Sequence, residues 1–421
     1  MTPDMNPNME ELNKRRVERH LRRQKMNAKK RRKKMTSMVL VCFLLVALGV
    51  GVFFLLRMEE NSEPEEIQYV MDDGGQTPED ATVVHLVAAG DVNVTDTIVA
   101  SGGPNYDYTN TFLDVAHLLA EGDITVVNFE GNLCGAPYGT NSGSAPQELA
   151  EMLKNCGVDL VQLANSYSIN QGISGLQATI QAVREAGMEP LGVYADERAF
   201  KSGKGYTIKN VQGVEIAFVA FTKGMDGMTL PAGSENCVNL LYTDYDSTYQ
   251  SIDWDGIDKV MDAVEKESPD LIVAMLHWGS EYNDTVSKTQ EKIVTHLQER
   301  GVNAIIGTHP HFVHQMTYDP ETGNFVAYSL GDLISEATRS GTEYSVVLNL
   351  EITKTKDGTK ITGYSYTPIF SVSERGSTLR SVRIAEAMTA YDGGYLESIK
   401  QTTYDSMTYA LTRIEARVKG E

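Results

Sequence analysis

Five short segments hold the side chains able to do chemistry: 88–93 (AAGDVN), 128–132 (NFEGN), 163–172 (LANSYSINQG), 275–282 (MLHWGSEY) and 307–315 (GTHPHFVHQ), with 328–333 (YSLGDL) close behind. Together they offer Asp91, Asn93, Glu130, Asn132, Asn165, His277, Glu281, His309, His311 and His314. Mixed carboxylate and imidazole is a donor set suited to Mn, Fe, Zn or a related divalent ion. In His309-Pro310-His311, alternate residues of an extended segment point the same way, so two imidazoles can share one ion or one phosphate-like anion. A lone strand-end His such as His277, or a lone Asp after Gly such as Asp91, is ordinarily a structural residue. Recurrence at successive strand ends is what points to a metal site.

Other chemistries fare worse. There is no Gly-x-Ser-x-Gly elbow for a nucleophilic serine, and Ser329 reads as a turn residue. No phosphate-cradling Gly-rich loop of the ATPase kind is present. The four cysteines, Cys42, Cys134, Cys156 and Cys237, are too few and scattered for a zinc ribbon or a disulfide scaffold. Cys134 and Cys156 are the pair placed to form one disulfide; three free thiols at Cys134, Cys156 and Cys237 is the other reading.

The elements that must position these residues alternate between strand and helix. Apolar runs at 83–91, 123–131, 158–165, 214–222, 270–279, 302–311, 325–333 and 344–353 read as strands. Amphipathic stretches at 110–122, 146–157, 173–187, 256–268 and 289–301 read as helices. Uniformly apolar strands such as LIVAML indicate an α/β sandwich with sheets buried on both faces. The polar residues fall just past the strand ends, where sites form in open α/β sheets.

The chain has 421 residues and a formal net charge of −20, unevenly spread. Residues 1–37 hold 13 Lys and Arg against 4 Asp and Glu, a net of +9, so the remainder carries −29. A body this acidic repels a phosphate backbone, and no nucleic-acid partner is expected. Residues 38–56 (MVLVCFLLVALGVGVFFLL) form an uncharged run long enough to span a bilayer as an uncleaved anchor. The positive-inside rule keeps the basic tail 1–37 in the cytoplasm and puts the acidic body outside, as a single-pass cell-membrane protein. An acidic, Pro- and Gly-containing linker follows at 57–81. The ordered domain is expected over 82–372, and 373–421 as a helical extension.

The motifs resemble the signature of CapA-type capsule-synthesis proteins when read in order: Gly90-Asp91, Asn128-Phe129-Glu130-Gly131, Leu163-Ala164-Asn165, His277-Trp278-Gly279, Gly307-Thr308-His309-Pro310-His311 and Tyr328-Ser329-Leu330-Gly331. The resemblance spans about residues 83–372. It implies a metallophosphatase-like four-layer α/β/β/α sandwich, preceded here by a single transmembrane helix, and a role in poly-γ-glutamate capsule biosynthesis. The third motif departs from the family's Asn-Asn-His, with Ser166 and Tyr167 in place of the second Asn and the His. His314 stands for a Gln, and Asp332 for an Asn after Ser-Leu-Gly. Serine is a poor divalent-metal ligand, and a phenol with pKa near ~10 is a poor proton carrier at neutral pH. A two-metal mechanism is therefore not carried over; one ion held by His277, His309, His311 and a carboxylate is.

Two functions follow. In the first, Asp91, Glu130, His277, His309 and His311 hold a divalent ion, Tyr167 or Glu281 assists proton transfer, and the substrate is poly-γ-glutamate or another anionic envelope polymer. In the second, the chain is a non-catalytic accessory protein that binds polymer or other capsule synthase subunits through a degenerate site. The topology is checked directly: protease added to intact cells is expected to spare a tag at the N-terminus and digest the body, and an externally accessible N-terminal tag would reverse the orientation.

Overall fold

A computed structural model describes residues 80–373, 378–394 and 399–421. The basic tail, the apolar run 38–56 and nearly all of the linker lie outside the described residues. Among the described residues no helix is long and apolar enough to cross a membrane.

The fold is α/β with two sheets. The strands in chain order are β1 (Thr82–Asn93), β2 (Ile124–Glu130), β3 (Leu160–Gln162), β4 (Glu189–Leu191), β5 (Tyr206–Val211), β6 (Val214–Thr222), β7 (Leu271–His277), β8 (Ala304–Thr308), β9 (Met316–Asp319), β10 (Asn324–Ala327), β11 (Asp332–Ile334), β12 (Tyr344–Thr355), β13 (Gly358–Ser373) and β14 (Leu379–Arg383). The first sheet runs β14-β13-β12-β1-β2-β3-β4, with β11 paired to β1. The second runs β5-β6-β7-β8-β10-β9. β1 to β4 are mutually parallel, as are β6, β7, β8 and β10; β12, β13 and β14 add an antiparallel flank to the first sheet.

The two-residue period of a strand decides which face each side chain covers. Along β1, Val84, Leu86 and Ala88 enter one apolar cluster, and Val87 and Ala89 enter another. Along β7, Leu271, Val273 and Met275 join the same cluster as Val84, while Ile272, Ala274 and Leu276 face a third. The shared cluster is the interior between the sheets. The helices Gln147–Asn155 and Gly172–Glu185 cover the outer face of the first sheet through Leu149, Leu153, Leu176 and Ile180. The helices Trp254–Glu265 and Lys288–Glu299 cover the outer face of the second through Ile257, Met261, Ile293 and Leu297. The central strands of both sheets are thus buried on both faces, which explains their uniformly apolar sequences.

Three expectations need correction. The expected strand 325–333 is two strands in different sheets, because the chain crosses from β10 to β11 through Tyr328–Gly331. The expected helix 110–122 breaks into Thr109–Phe112 and Ala116–Ala120, with Asp114 between them paired to Arg380 of β14. The boundary at 372 falls inside β13, and the extension begins with β14 in the first sheet. Its helices Ile384–Asp392 and Gln401–Lys419 then add Ile384, Met407, Ala410 and Ile414 to the interior between the sheets. β13 is half-exposed and carries Thr, Lys, Tyr and Ser among its apolar residues, so it lacks the pattern that marks the buried strands. Cys134, Cys156 and Cys237 are all free thiols.

The crossing presses directly on β1. A Cβ at Gly90 would lie 1.7 Å from the Gly331 carbonyl oxygen, so only glycine lets the backbones approach. That contact aligns Asp91, whose amide donates to the same carbonyl at 3.1 Å. Gly90→Ala is expected to destabilise the protein by about 3 kcal/mol or more, the upper range for forcing a methyl into a packed interior. Urea unfolding measures it, and a loss below about 1 kcal/mol would refute the contact.

Candidate metal centre

Strands from both sheets deliver donors to one edge. Asp91 lies near the end of β1, and Glu130 ends β2. From the second sheet, Thr222 ends β6, His277 ends β7, and His309 and His311 follow β8. Asp332 opens β11. All of these side chains are buried.

Hydrogen bonds fix each carboxylate. Asn128 donates through Nδ2 to Asp91 Oδ1 at 2.7 Å and to Glu130 Oε1 at 3.2 Å. Asn165 in turn donates to Asn128 Oδ1 at 3.1 Å and to the Phe129 carbonyl at 2.7 Å. The His309 amide donates to Asp91 Oδ2 at 3.1 Å. Asp91 therefore has both oxygens engaged before any ligand arrives.

His277 is oriented from behind. The Thr222 hydroxyl donates to the Gly224 carbonyl at 2.9 Å, so it accepts from His277 Nδ1–H at 3.1 Å. The tautomer assigned from this network leaves His277 Nε2 with a lone pair, and that atom lies 2.7 Å from Glu130 Oε1. Two acceptors this close need a proton or a cation between them. Burial, reinforced by Asp91, pushes the Glu130 carboxyl well above the ordinary range, toward the form that carries a proton. Burial, reinforced by His311 and Lys223, pushes His277 well below it. Both shifts favour the uncharged forms of the pair.

Two overlapping donor groups result. Glu130, His277 and His309 form one and Asp91, Glu130 and His311 the other, each with ligand atoms within 4.8 Å of one another. Glu130 belongs to both. This corrects the expectation that the three histidines share one ion. His309 and His311 have φ of +94° and +61°, so the segment is not extended, and their ring centroids are 6.2 Å apart. Such strained backbone gathers at functional sites. A divalent cation fits the first group on two observations: the facing lone pairs of His277 and Glu130, and His309 Nδ1, which is buried without a hydrogen-bond partner.

His311 differs from the other two histidines. Burial alone lowers its pKa, but Asp332, Asp91 and Glu130 outweigh burial and hold it well above the ordinary value. Its Nδ1 lies 2.8 Å from Asp332 Oδ1 and 3.4 Å from Asp91 Oδ2. The Tyr282 ring stacks at 5.2 Å from it, and Arg339 caps that ring at 4.3 Å.

The remaining expected residues lie around this centre. Tyr167 is half-buried, and burial together with the charges of Glu130, Asp226 and Glu281 pushes its hydroxyl up to about 12. Glu281 is exposed at the rim. Ser166 is buried beside Asn165. His314 faces away, with Nε2 at 2.8 Å from the Asn283 carbonyl. Sequence reasoning missed Lys223, Thr222, Asn128 and the pairing of Asp332 with His311. Lys223 follows β6 directly, and its position just past an apolar strand was the available signal.

The pH dependence has a definite sign. A carboxyl whose pKa is raised on folding gives stability that is complete below the unfolded value, 4.5 for Glu130, and lost as pH rises through the raised value. Chelator-treated wild type is therefore expected to lose stability as pH rises from about 5 to 8, and Glu130→Gln, which cannot ionise, to lose less. Thermal unfolding across that range is the measurement; identical profiles would mean Glu130 is already charged in the folded state.

The bacterial capsule synthesis protein family PGA_cap matches residues 85–337. The chain is 29% identical over 209 residues to the capsule biosynthesis protein CapA of Bacillus anthracis, covering 50% of this chain and 48% of that one. It is 23% identical over 212 residues to the PGA biosynthesis protein CapA of Bacillus subtilis strain 168, covering 50% and 52%. The chain thus spans about half the length of the curated relatives it matches. Among solved structures, the calcineurin-like phosphoesterase YfkN of Bacillus subtilis aligns with a TM-score of 0.42 at 14% identity, covering 79% of this chain and 98% of that one. A phosphatase of Mycoplasma pneumoniae aligns with a TM-score of 0.44 at 14% identity, covering 69% and 94%. The family match runs from β1 past β11 and so takes in every donor of both groups. The chain belongs to the bacterial capsule synthesis protein PGA_cap family.

Proposed function

We propose that this chain is a membrane-anchored, extracytoplasmic protein of capsule biosynthesis, acting on poly-γ-glutamate or a related anionic envelope polymer. It acts through a metal-dependent hydrolase or transferase site on a metallophosphatase-like α/β/β/α sandwich. The observation that carries the reading is the 2.7 Å approach of His277 Nε2 to Glu130 Oε1, two acceptors aimed at each other inside a cage of further donors. The names of the two Bacillus relatives support the role in capsule formation. The uncharged run 38–56 after a basic tail supports the anchor.

Asp91, Glu130, His277, His309 and His311 supply the two overlapping donor groups, Glu130 with His277 and His309 and Glu130 with Asp91 and His311, either of which would hold an ion. A divalent metal there supplies Lewis acidity toward a carbonyl or phosphoryl oxygen and lowers the pKa of bound water. The chain's own residues divide the remaining work. Thr222 holds His277 in the tautomer that presents Nε2. Asn128 and Asn165 lock the carboxylates. Tyr167 keeps its proton at neutral pH and so acts as a hydrogen-bond donor or an acid, not a base. Glu281, at the exposed rim, can pass protons to solvent. With a body of net charge −29, an anionic polymer needs local positive charge, which the ion and Lys223 provide.

The second reading is a non-catalytic polymer-binding accessory protein, and Ser166 and Tyr167 favour it. One experiment separates them: the Mn2+-loaded full chain is assayed on poly-γ-glutamate and on phosphoesters. Turnover that falls at least ~100-fold in Glu130→Gln supports the enzyme, on the scale lost with a key metal-site group. Retained metal and polymer binding without turnover supports the accessory reading. Absence of bound metal at any concentration refutes the metal site.

A further inference from the structure

Beyond residue 37 the chain carries a net charge of −29, and acids are in surplus. Arg184 pairs with Glu189, and Arg300 gathers Asp258, Asp262 and Glu265. Arg339 is different. It is exposed, and among the described residues no carboxylate lies within ion-pair distance of it. Its guanidinium carbon stands 4.3 Å over the Tyr282 ring, and that ring lies 5.2 Å from the ring of His311. We propose that Arg339, seated on Tyr282, is a docking point for a free carboxylate of an anionic polymer, next to the unit that reaches the metal centre. This rests on the polymer reading above and names a subsite for it.

A guanidinium held over a ring uses its face and keeps its in-plane N–H fork for a planar anion, which a carboxylate matches with two parallel hydrogen bonds. The parts beneath that fork are fixed. The Tyr282 amide donates to the Pro310 carbonyl at 3.0 Å, which ties the ring to the segment carrying His309 and His311. The Arg339 carbonyl accepts from the Thr342 amide at 3.2 Å and from its hydroxyl at 2.9 Å, and Thr342 is buried. The backbone under Arg339 is therefore held while its head group is free. Arg417 adds a second, independent observation. It lies 4.6 Å over Phe312, the ring that meets Tyr282 edge-on at 6.4 Å. Arg417 is nine-tenths buried, its Nε and Nη1 lack hydrogen-bond partners, and its acid, Asp284, stays 3.8 Å away. One aromatic shelf beside the metal centre thus carries two guanidiniums, against the sign of the surrounding body. Such a patch draws an anionic chain to this edge, and Arg339 is its exposed contact. Both arginines lie beyond residues 85–337, so the family match assigns them nothing.

The test measures binding. The detergent-solubilised full chain, chelator-treated and separately Mn2+-loaded, is titrated by calorimetry with a linear γ-glutamate oligomer, with the same oligomer amidated at its α-carboxyls, and with polyphosphate. Arg339→Gln is expected to weaken the γ-glutamate oligomer about 10-fold or more in both metal states, the scale of a hydrogen bond to a charged group. Arg339→Lys, which keeps the charge and loses the fork, is expected to recover part of that loss. Tyr282→Leu is expected to weaken binding as Arg339→Gln does, and Tyr282→Phe, which keeps the ring, to restore it. Arg184→Gln removes the same charge beside Glu189, the first residue of β4, at the end of the strands opposite the donors, and is expected to change nothing. Arg339→Gln binding as tightly as wild type, or Arg184→Gln losing as much, would overturn the docking point and leave the polymer reading standing. An equal dependence on Arg339 for polyphosphate or the amidated oligomer would overturn the carboxylate assignment. Wild type that binds no γ-glutamate oligomer in either metal state would overturn both readings. Arg339 is exposed, so its variants are expected to fold, and circular dichroism checks it; the Tyr282 pair decides independently.

Discussion

The centre depends on a contact that proteins ordinarily avoid: a carboxyl and an imidazole lone pair facing each other in a buried space, one from each sheet. Glu130 ends β2 and His277 ends β7, so their approach joins the two halves of the sandwich where the strands stop. Left without a proton or cation, such a pair repels, and the penalty grows as water is excluded. The surrounding structure leaves the pair in need of a proton or a cation between them. Thr222 takes the only proton His277 has to give, and Asn128 holds Glu130 in place. The rest of the edge is arranged to hold a positive charge at that point.

Each sheet contributes something different. The first brings Asp91, Glu130 and Asp332, all carboxyls, with amide side chains bonded behind them. The second brings imidazoles and Lys223. Acid and base are thereby kept on separate frames and meet only at their edges. His311 is the exception, its pKa held well above the ordinary value by Asp332 and Asp91 against the effect of burial. A lid of aromatic and cationic side chains closes this end: Tyr282 over His311, Arg339 over Tyr282, and Arg417 over Phe312.

Much of this was legible from residue order. Buried parallel strands announce themselves as unbroken apolar runs, and the first polar residue beyond each run is where a site residue must stand. That logic reaches Asp91, Glu130, His277, His309 and His311 without coordinates. It fails for Lys223, because a lysine after a strand is usually a solvated end, and only the fold shows it turned inward. It fails for the 309–311 segment, because positive φ at two histidines is imposed by the loop and leaves no trace in composition. It fails for β13 and β14, whose mixed polar faces resemble loop or helix until they are paired. The double use of Glu130 could not be read either, since it depends on where two sheets cross.

The crossing at Tyr328–Gly331 has a consequence for how the protein comes into being. Donors from the first sheet lie at both ends of the folded region, at 91 and 130 and again at 332, with the second sheet's donors threaded between them in sequence. No local segment owns a ligand set, and the loops that must close before one exists are hundreds of residues long, the slow end of folding topology. An ion therefore cannot nucleate this fold as it does a small zinc module. An ion bound at this site would be captured afterwards, and the choice of metal would fall to whatever compartment the chain occupies when its final strands pair.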